Sequence, residues 1–316
     1  YIVDKLELNT TYYYRVWAET SEGNLLTGEV ESFTTWEGGE WMRGEDLDLL
    51  QRGNFMSIIN NGNNKLIASG NLGVNSFQKF YELDTKSFSL KNLNISKMGL
   101  IVESFKLNNM AYFLSISNVL YQYNFESGKI DSVNIYPGKG NYGFASFILN
   151  KKAYVGLGYN AGPEFYVYDP ELNNWKRIND FPYNCANPVS FADHQFGYVG
   201  GGILSNGNIF RDSIFQYNEY EDKWLFFTLF PERPLSESIS IHFDNKIYIA
   251  NGKTGKNGDW DNNNFFYILD LKEKKWDNLG EFPGNNTSIS GVIFENQNQI
   301  FTITDHIHIY TPKNQL

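Results

Sequence analysis

Residues Lys152 to Pro182 read KAYVGLGYNAGPEFYVYDPELNNWKRINDFP. A β-rich run, Ala153 to Val155, ends in spaced glycines, and a loop follows. A second run, Phe165 to Tyr168, meets Asp169, and a turn leads to Trp175 and a third strand closing at Pro182. The unit therefore reads as three strands with their turns. A glycine permits backbones to approach closely where a side chain would collide. The large rings have the opposite job: burying one contributes about 1.5–3 kcal/mol, so Tyr168 and Trp175 read as packing before chemistry.

Copies of this unit recur. The strands Lys65-Leu-Ile-Ala, Met110-Ala-Tyr-Phe, Lys152-Ala-Tyr-Val, Phe196-Gly-Tyr-Val, Lys246-Ile-Tyr-Ile and Gln299-Ile-Phe-Thr align, with third positions Ile67, Tyr112, Tyr154, Tyr198, Tyr248 and Phe301. Their separations of 45, 42, 44, 50 and 53 residues fit one four-stranded unit each. The residue closing each following strand repeats as Asp84, Asn124, Asp169, Asn218, Asp270 and Thr311. Six residues after four of these stand Ile130, Trp175, Trp224 and Trp276. Glycines after the second strand, then Tyr-Asp, then Trp make the unit resemble a kelch repeat, the blade of a β-propeller. That resemblance implies an all-β, six-bladed kelch-type propeller.

The sixth copy lacks its last strand, because six residues beyond Thr311 falls past Leu316. The replacement expected is Trp41-Met-Arg-Gly-Glu-Asp-Leu47, which has the Trp-led form of Trp175-Lys-Arg-Ile-Asn-Asp-Phe181. It should pair with Thr304–Tyr310 and close the ring, removing the exposed sheet edges that invite association.

Ahead of the repeats, Tyr12, Tyr14, Val16 and Ala18 alternate with Tyr13, Arg15 and Trp17, the two-residue period of a strand. Leu6, Thr10, Tyr12, Arg15, Val16 and Ala18 are similar to the closing strands of a fibronectin type III domain, with Tyr12 as the tyrosine-corner residue. The expected division is a partial fibronectin type III-like β-sandwich over residues 1–35 and a propeller over 36–316, the chain being a piece of a longer protein.

Composition narrows the function. With 26 Lys and Arg against 36 Asp and Glu the net charge is −10, and no basic cluster supplies the concentrated cations a nucleic-acid groove needs. No run approaches the roughly 18 apolar residues of a transmembrane helix. One cysteine, Cys185, excludes an internal disulfide framework. Kelch propellers include copper oxidases of the galactose oxidase type, built on two Tyr, two His and a Tyr-linked Cys. Here the histidines are His194, His242, His306 and His308, and only the last two share a strand face. No cofactor is expected.

In an antiparallel sheet of four strands the 2–3 and 4–1 connections emerge at one end. They are the long ones here: Gly156–Glu164, Gly200–Asp212 and Asn251–Asn264. Function gathers on such loops. Trp260 between Asp259 and Asp261 has the form of a platform for a sugar ring, with Arg211, Asp212 and Arg233 as hydrogen-bonding neighbours and Tyr159 and Tyr183 on the rim. Asp259, Asp261 and Asn262 are also oxygen donors suited to calcium, without the spacing of an EF-hand loop. The leading expectation is an extracytoplasmic, bacterial binding module for a glycan or a protein partner. The alternative is a sugar-processing enzyme like the sialic acid mutarotases, another six-bladed kelch group; Glu232, Arg233, Glu237, Arg211 and Asp212 are its candidate acid–base set.

Overall fold

The computed structural model describes residues 10–34, 39, 41–43, 53–61, 65–72, 79–85, 87, 89–95, 98–204, 209–243, 245–256, 259–283, 290–294, 299–303 and 307–312. Among them there are strands and turns and no helix. The chain is an all-β protein with a β-propeller arrangement, and six four-stranded antiparallel sheets follow one another along it.

The first sheet is built from Gly53–Asn60, Lys65–Leu72, Lys79–Asp84 and Leu90–Asn92. The second runs from Ile101–Leu107 to Ile130–Ile135, the third from Ala145–Leu149 to Asn174–Ile178, and the fourth from Val189–Ala192 to Lys223–Leu229. The fifth runs from Ile239–Phe243 to Lys275–Glu281, and the sixth starts with Ser290–Phe294. The first strands of successive sheets touch in series, and the sixth touches the first, so these strands form a closed inner ring. The last strand of the sixth sheet comes from far upstream: Trp41–Arg43 pairs antiparallel with Ile307–Tyr310, Trp41 opposite Tyr310 and Arg43 opposite His308. Gly44–Leu47 and Thr304–His306, the rest of the expected pairing, lie outside the described residues.

The repeated sequence marks have repeated physical causes. Four of the Asp and Asn residues that end third strands cap the following turn in the same way, Oδ1 accepting two backbone N–H groups. Asn124 accepts from Glu126 and Ser127, Asp169 from Glu171 and Leu172, Asn218 from Tyr220 and Glu221, and Asp270 from Lys272 and Glu273. A short side-chain acceptor two residues back is the Asx-turn solution to an otherwise unpaired turn backbone.

The tryptophans join sheets. Trp224 Nε1 donates to the Asn179 carbonyl of the third sheet at 3.0 Å, and Trp276 Nε1 to Leu229 of the fourth at 2.9 Å. Trp41, in the sixth sheet, packs 5.0 Å from both Phe266 and Phe282 at the fifth. The core is thus a series of aromatic seams between sheets, such as Phe147, Phe165, Phe181 and Trp224 between the third and fourth. Glycine is required inside these sheets: a Cβ on Gly156 would come within 2.5 Å of the Phe165 ring.

Thr11–Glu19 and Leu25–Thr34 form a separate two-stranded hairpin. The bulge opposite Arg15–Trp17 lies on the partner strand, where Val30 to Thr27 takes three residue steps against two, so it leaves the alternation of the first strand in place, and Tyr12 and Tyr14 both meet the Phe33 ring. Tyr13, Tyr14, Val16 and Trp17 are all exposed, while Tyr12 stacks on Phe33 at 5.9 Å. The structure corrects the reading of Asn251–Asn264, which is no irregular loop. Lys253–Lys256 and Asp259–Asn262 pair as a hairpin inserted between the second and third strands of the fifth sheet, with Trp260 opposite Gly255. Thr254 within it is buried, which polar composition alone did not signal.

Candidate functional site

The loop-bearing end of the third, fourth and fifth sheets is one hydrogen-bonded surface. Aligning the inner strands brings out its frame: Ala145-Ser-Phe, Val189-Ser-Phe and Ile239-Ser-Ile start alike, and three residues before each serine stand Gly143, Asn187 and Glu237. All three have left-handed backbones, with φ of 73°, 51° and 57°. Asn187 N–H donates to the Gly143 carbonyl at 2.8 Å, and Glu237 N–H to the Asn187 carbonyl at 3.0 Å. The three residues therefore form a backbone chain that crosses three sheets. A side chain in that conformation costs about 1–2 kcal/mol relative to its relaxed form, which glycine avoids.

Those strained positions project the polar groups. Asn187 Nδ2 donates to Glu237 Oε1 at 3.2 Å and lies 3.4 Å from the Tyr159 hydroxyl. Glu237 Oε2 pairs with Lys253 Nζ at 2.8 Å, both side chains about one third exposed (34% and 32%). Lys253 is itself fixed, since its backbone exchanges two hydrogen bonds with Ser236. A carboxylate, a carboxamide, a phenol and an ammonium from four loops are thereby held in one network. Burial pushes the Tyr159 phenol above its ordinary pKa, and the nearby Glu237 charge adds to the rise. Tyr159 thus serves as a neutral hydroxyl.

Cations flank this network. The Arg211 guanidinium lies over the Tyr183 ring, 5.1 Å from its centroid, and the Arg211 backbone N–H donates to the Gly202 carbonyl, while the Gly202 N–H donates to that of Leu235. Arg233 is 3.8 Å from Asp261, an exposed pair that adds orientation more than stability. Tyr183 is half-buried, its hydroxyl donating to the backbone carbonyls of Gly201 and Ser213 at 3.3 and 3.2 Å. It supports the loop and Arg211 together. Asp212 is exposed and accepts from Ser213 Oγ at 3.1 Å. Asp259 and Trp260 are placed by their strand alone, because their side chains lie outside the described residues.

Of the residues named from sequence, the structure brings Tyr159 and Glu237 into contact through Asn187, pairs Arg233 with Asp261, and stacks Arg211 on Tyr183. Sequence reading missed Asn187 and Lys253. The fixed offset before the inner-strand serines would have found Asn187, but it emerges only when the first strands are aligned. Among the described residues no group of three or more His, Cys, Asp or Glu could hold a metal ion. His308 is buried with its ring 5.6 Å from Phe282, His306 lies outside the described residues, and Cys185 is buried.

Fold and site together define a β-propeller with a polar, charged mouth. The solved structure of YjhT matches it with a TM-score of 0.66 at 16% identity, covering 83% of this chain and 96% of that one, a likeness of fold. Two curated relatives are both described as N-acetylneuraminate epimerase, from Salmonella enteritidis and Salmonella typhi. Each is 25% identical over 238 residues, or 63% of this chain and 60% of the relative. The chain thus spans less than two thirds of the length of these curated relatives. No protein-family profile matches it.

Proposed function

We propose that this chain is a six-bladed kelch-type propeller that acts on an acidic sugar at its loop-bearing mouth, with Glu237 as the proton-transferring carboxylate. The observation that carries the reading is Glu237 itself. It is held in a left-handed backbone, hydrogen-bonded by Asn187 and paired with Lys253, at the meeting of loops from three sheets. Left-handed backbones also occur at plain turns, as at Asp222 and Lys274, so the weight rests on the partners of the Glu237 side chain. Lys253, Arg233 and Arg211 gather cationic groups at the mouth of a chain whose net charge is −10, which suits an anionic ligand. The relatives' description as N-acetylneuraminate epimerases supports the same class of sugar.

Epimerisation at a hemiacetal or hemiketal carbon needs one base and one proton source. Glu237 takes the proton of the ring-carbon hydroxyl, the ring C–O bond opens as the ring oxygen gains a proton from solvent, and the carbonyl recloses on its other face with both transfers reversed. General acid–base help of this type contributes about 10²–10⁴-fold. The same proposal places a fibronectin type III-like segment over residues 1–35 and the propeller over 36–316, in an extracytoplasmic protein whose ligand is a glycan rather than a protein.

The test is the exchange rate between the anomers of N-acetylneuraminate, followed by proton NMR with the protein present. The wild type should accelerate exchange, and Glu237→Gln should lose about a hundredfold or more of the acceleration. Sugar that is bound without acceleration would replace the enzyme reading with the binding-module one. Full activity in Glu237→Gln would remove Glu237 from the reaction.

A further inference from the structure

We infer that the exposed ring of Tyr142 is the platform on which the apolar face of the sugar stacks, at the Tyr159 side of the Asn187–Glu237 network. The inference rests on the functional reading above and adds a specificity-determining residue to the same site. Tyr142 lies in the connection that enters the third sheet, beside Gly143 of the left-handed series. Tyr142 is 47% exposed, and its ring leans on Tyr159 with centroids 4.6 Å apart and planes 31° from parallel. Tyr159 in turn reaches Asn187, the hydrogen-bond partner of Glu237. The platform and the carboxylate are therefore two ends of one fixed assembly.

The loop around the ring is pinned on each side. Asn141 N–H donates to the Tyr159 carbonyl at 3.1 Å, Tyr159 N–H to the Tyr142 carbonyl at 2.9 Å, and Asn187 N–H to the Gly143 carbonyl at 2.8 Å. An aromatic ring with two side-chain torsions on a loop so constrained loses little freedom when a ligand settles on it, which is how rigid tyrosines contribute to binding surfaces. Its π face carries partial negative charge and favours the weakly positive C–H groups of a sugar's apolar side. Other exposed aromatics of the described residues stand elsewhere: Tyr220 on the turn at the opposite end, Phe226 on an outer strand, Tyr13 and Trp17 on the N-terminal hairpin.

Calorimetric titration with N-acetylneuraminate tests this. Tyr142→Ala should bind about five- to a hundredfold more weakly, by analogy with base stacking on aromatic side chains. Tyr142→Phe and Tyr142→Trp should stay within about threefold of wild type, since the ring face and not the hydroxyl makes the contact. Tyr220→Ala is the control and should bind as wild type. The thermal midpoint of each variant should match wild type, because neither ring is part of a buried seam. Equal affinity in Tyr142→Ala and wild type, or an equal loss in Tyr142→Ala and Tyr142→Phe, overturns the platform while leaving the functional reading in place. No binding by the wild type overturns the functional reading, and the platform with it.

Discussion

The two ends of the sheets obey different rules. At the turn end, the same solution is copied from sheet to sheet: Asn124, Asp169, Asn218 and Asp270 each cap a turn, and Trp224 and Trp276 each donate to the preceding sheet. At the loop end the equivalent positions diverge into Gly143, Asn187 and Glu237, although all three keep a left-handed backbone. Where a residue only serves the fold, repetition is the economical answer, and glycine would serve at all three loop positions. Asn187 and Glu237 depart from it at a conformational cost. Left-handed residues other than glycine stand in the turns as well, at Asn173, Asp222 and Lys274, so what sets Asn187 and Glu237 apart is that their side chains bond each other between two sheets at the loop end.

If the turn end is purely structural, its largest single effect belongs to Trp224. Its ring contacts Phe147, Phe165, Phe181 and Tyr217, and its indole N–H is bonded to Asn179. Trp224→Ala should destabilise the protein by about 3–5 kcal/mol in urea unfolding, with sugar affinity unchanged in the folded fraction. A loss of affinity in folded protein would break the separation of the two ends.

Glu103 sharpens the comparison from the inner ring. It sits at a bulge in the first strand of the second sheet, accepting from Ser104 N–H at 2.8 Å, and burial raises its carboxyl from 4.5 to about 7. The folded pKa lies above the unfolded one, so stability is greatest below pH 4.5 as far as this group is concerned. It falls as pH rises from 4.5 to about 7, and is flat beyond. Removing the charge with Glu103→Gln should therefore stabilise the protein at pH 8 by up to about 3 kcal/mol and remove that slope. Parallel pH–stability curves for variant and wild type would show that Glu103 is not desolvated.

The smallest effect is at one turn. Asp270→Ala deletes the acceptor for Lys272 and Glu273 N–H at 3.0 and 2.9 Å, and should cost about 1 kcal/mol with no change in binding at the proposed sugar site. An effect on binding as large as that on stability would contradict the assignment of this turn to the fold alone.

The same contrast explains what could be read in the sequence. The sheets were legible because their marks recur: Tyr154 and Tyr198 fall at equal strand positions, Asp169 and Asp270 at equal turn positions, and the absent sixth tryptophan pointed to Trp41. The site was legible only in part. Glu237 and Tyr159 could be named as loop residues, but their link runs through Asn187 Nδ2, and sequence carries no sign that Asn187 N–H would bond Gly143, 44 residues earlier. Lys253 was hidden for a different reason. It begins a hairpin whose pairing with Asp259–Asn262 gives a polar stretch regular structure, and short polar strands have no hydrophobic alternation to reveal them.

Glu237→Gly tests most directly whether the loop end trades stability for function. Thermal unfolding and N-acetylneuraminate anomer exchange should be measured on the same preparation. Glycine relaxes the left-handed backbone, and this outweighs the loss of a partly exposed ion pair, so the variant should be as stable as wild type or up to about 1 kcal/mol more stable. Its exchange activity should be gone. A variant that is destabilised by several kcal/mol, or one that keeps full activity, would show that Glu237 serves the fold and not the reaction.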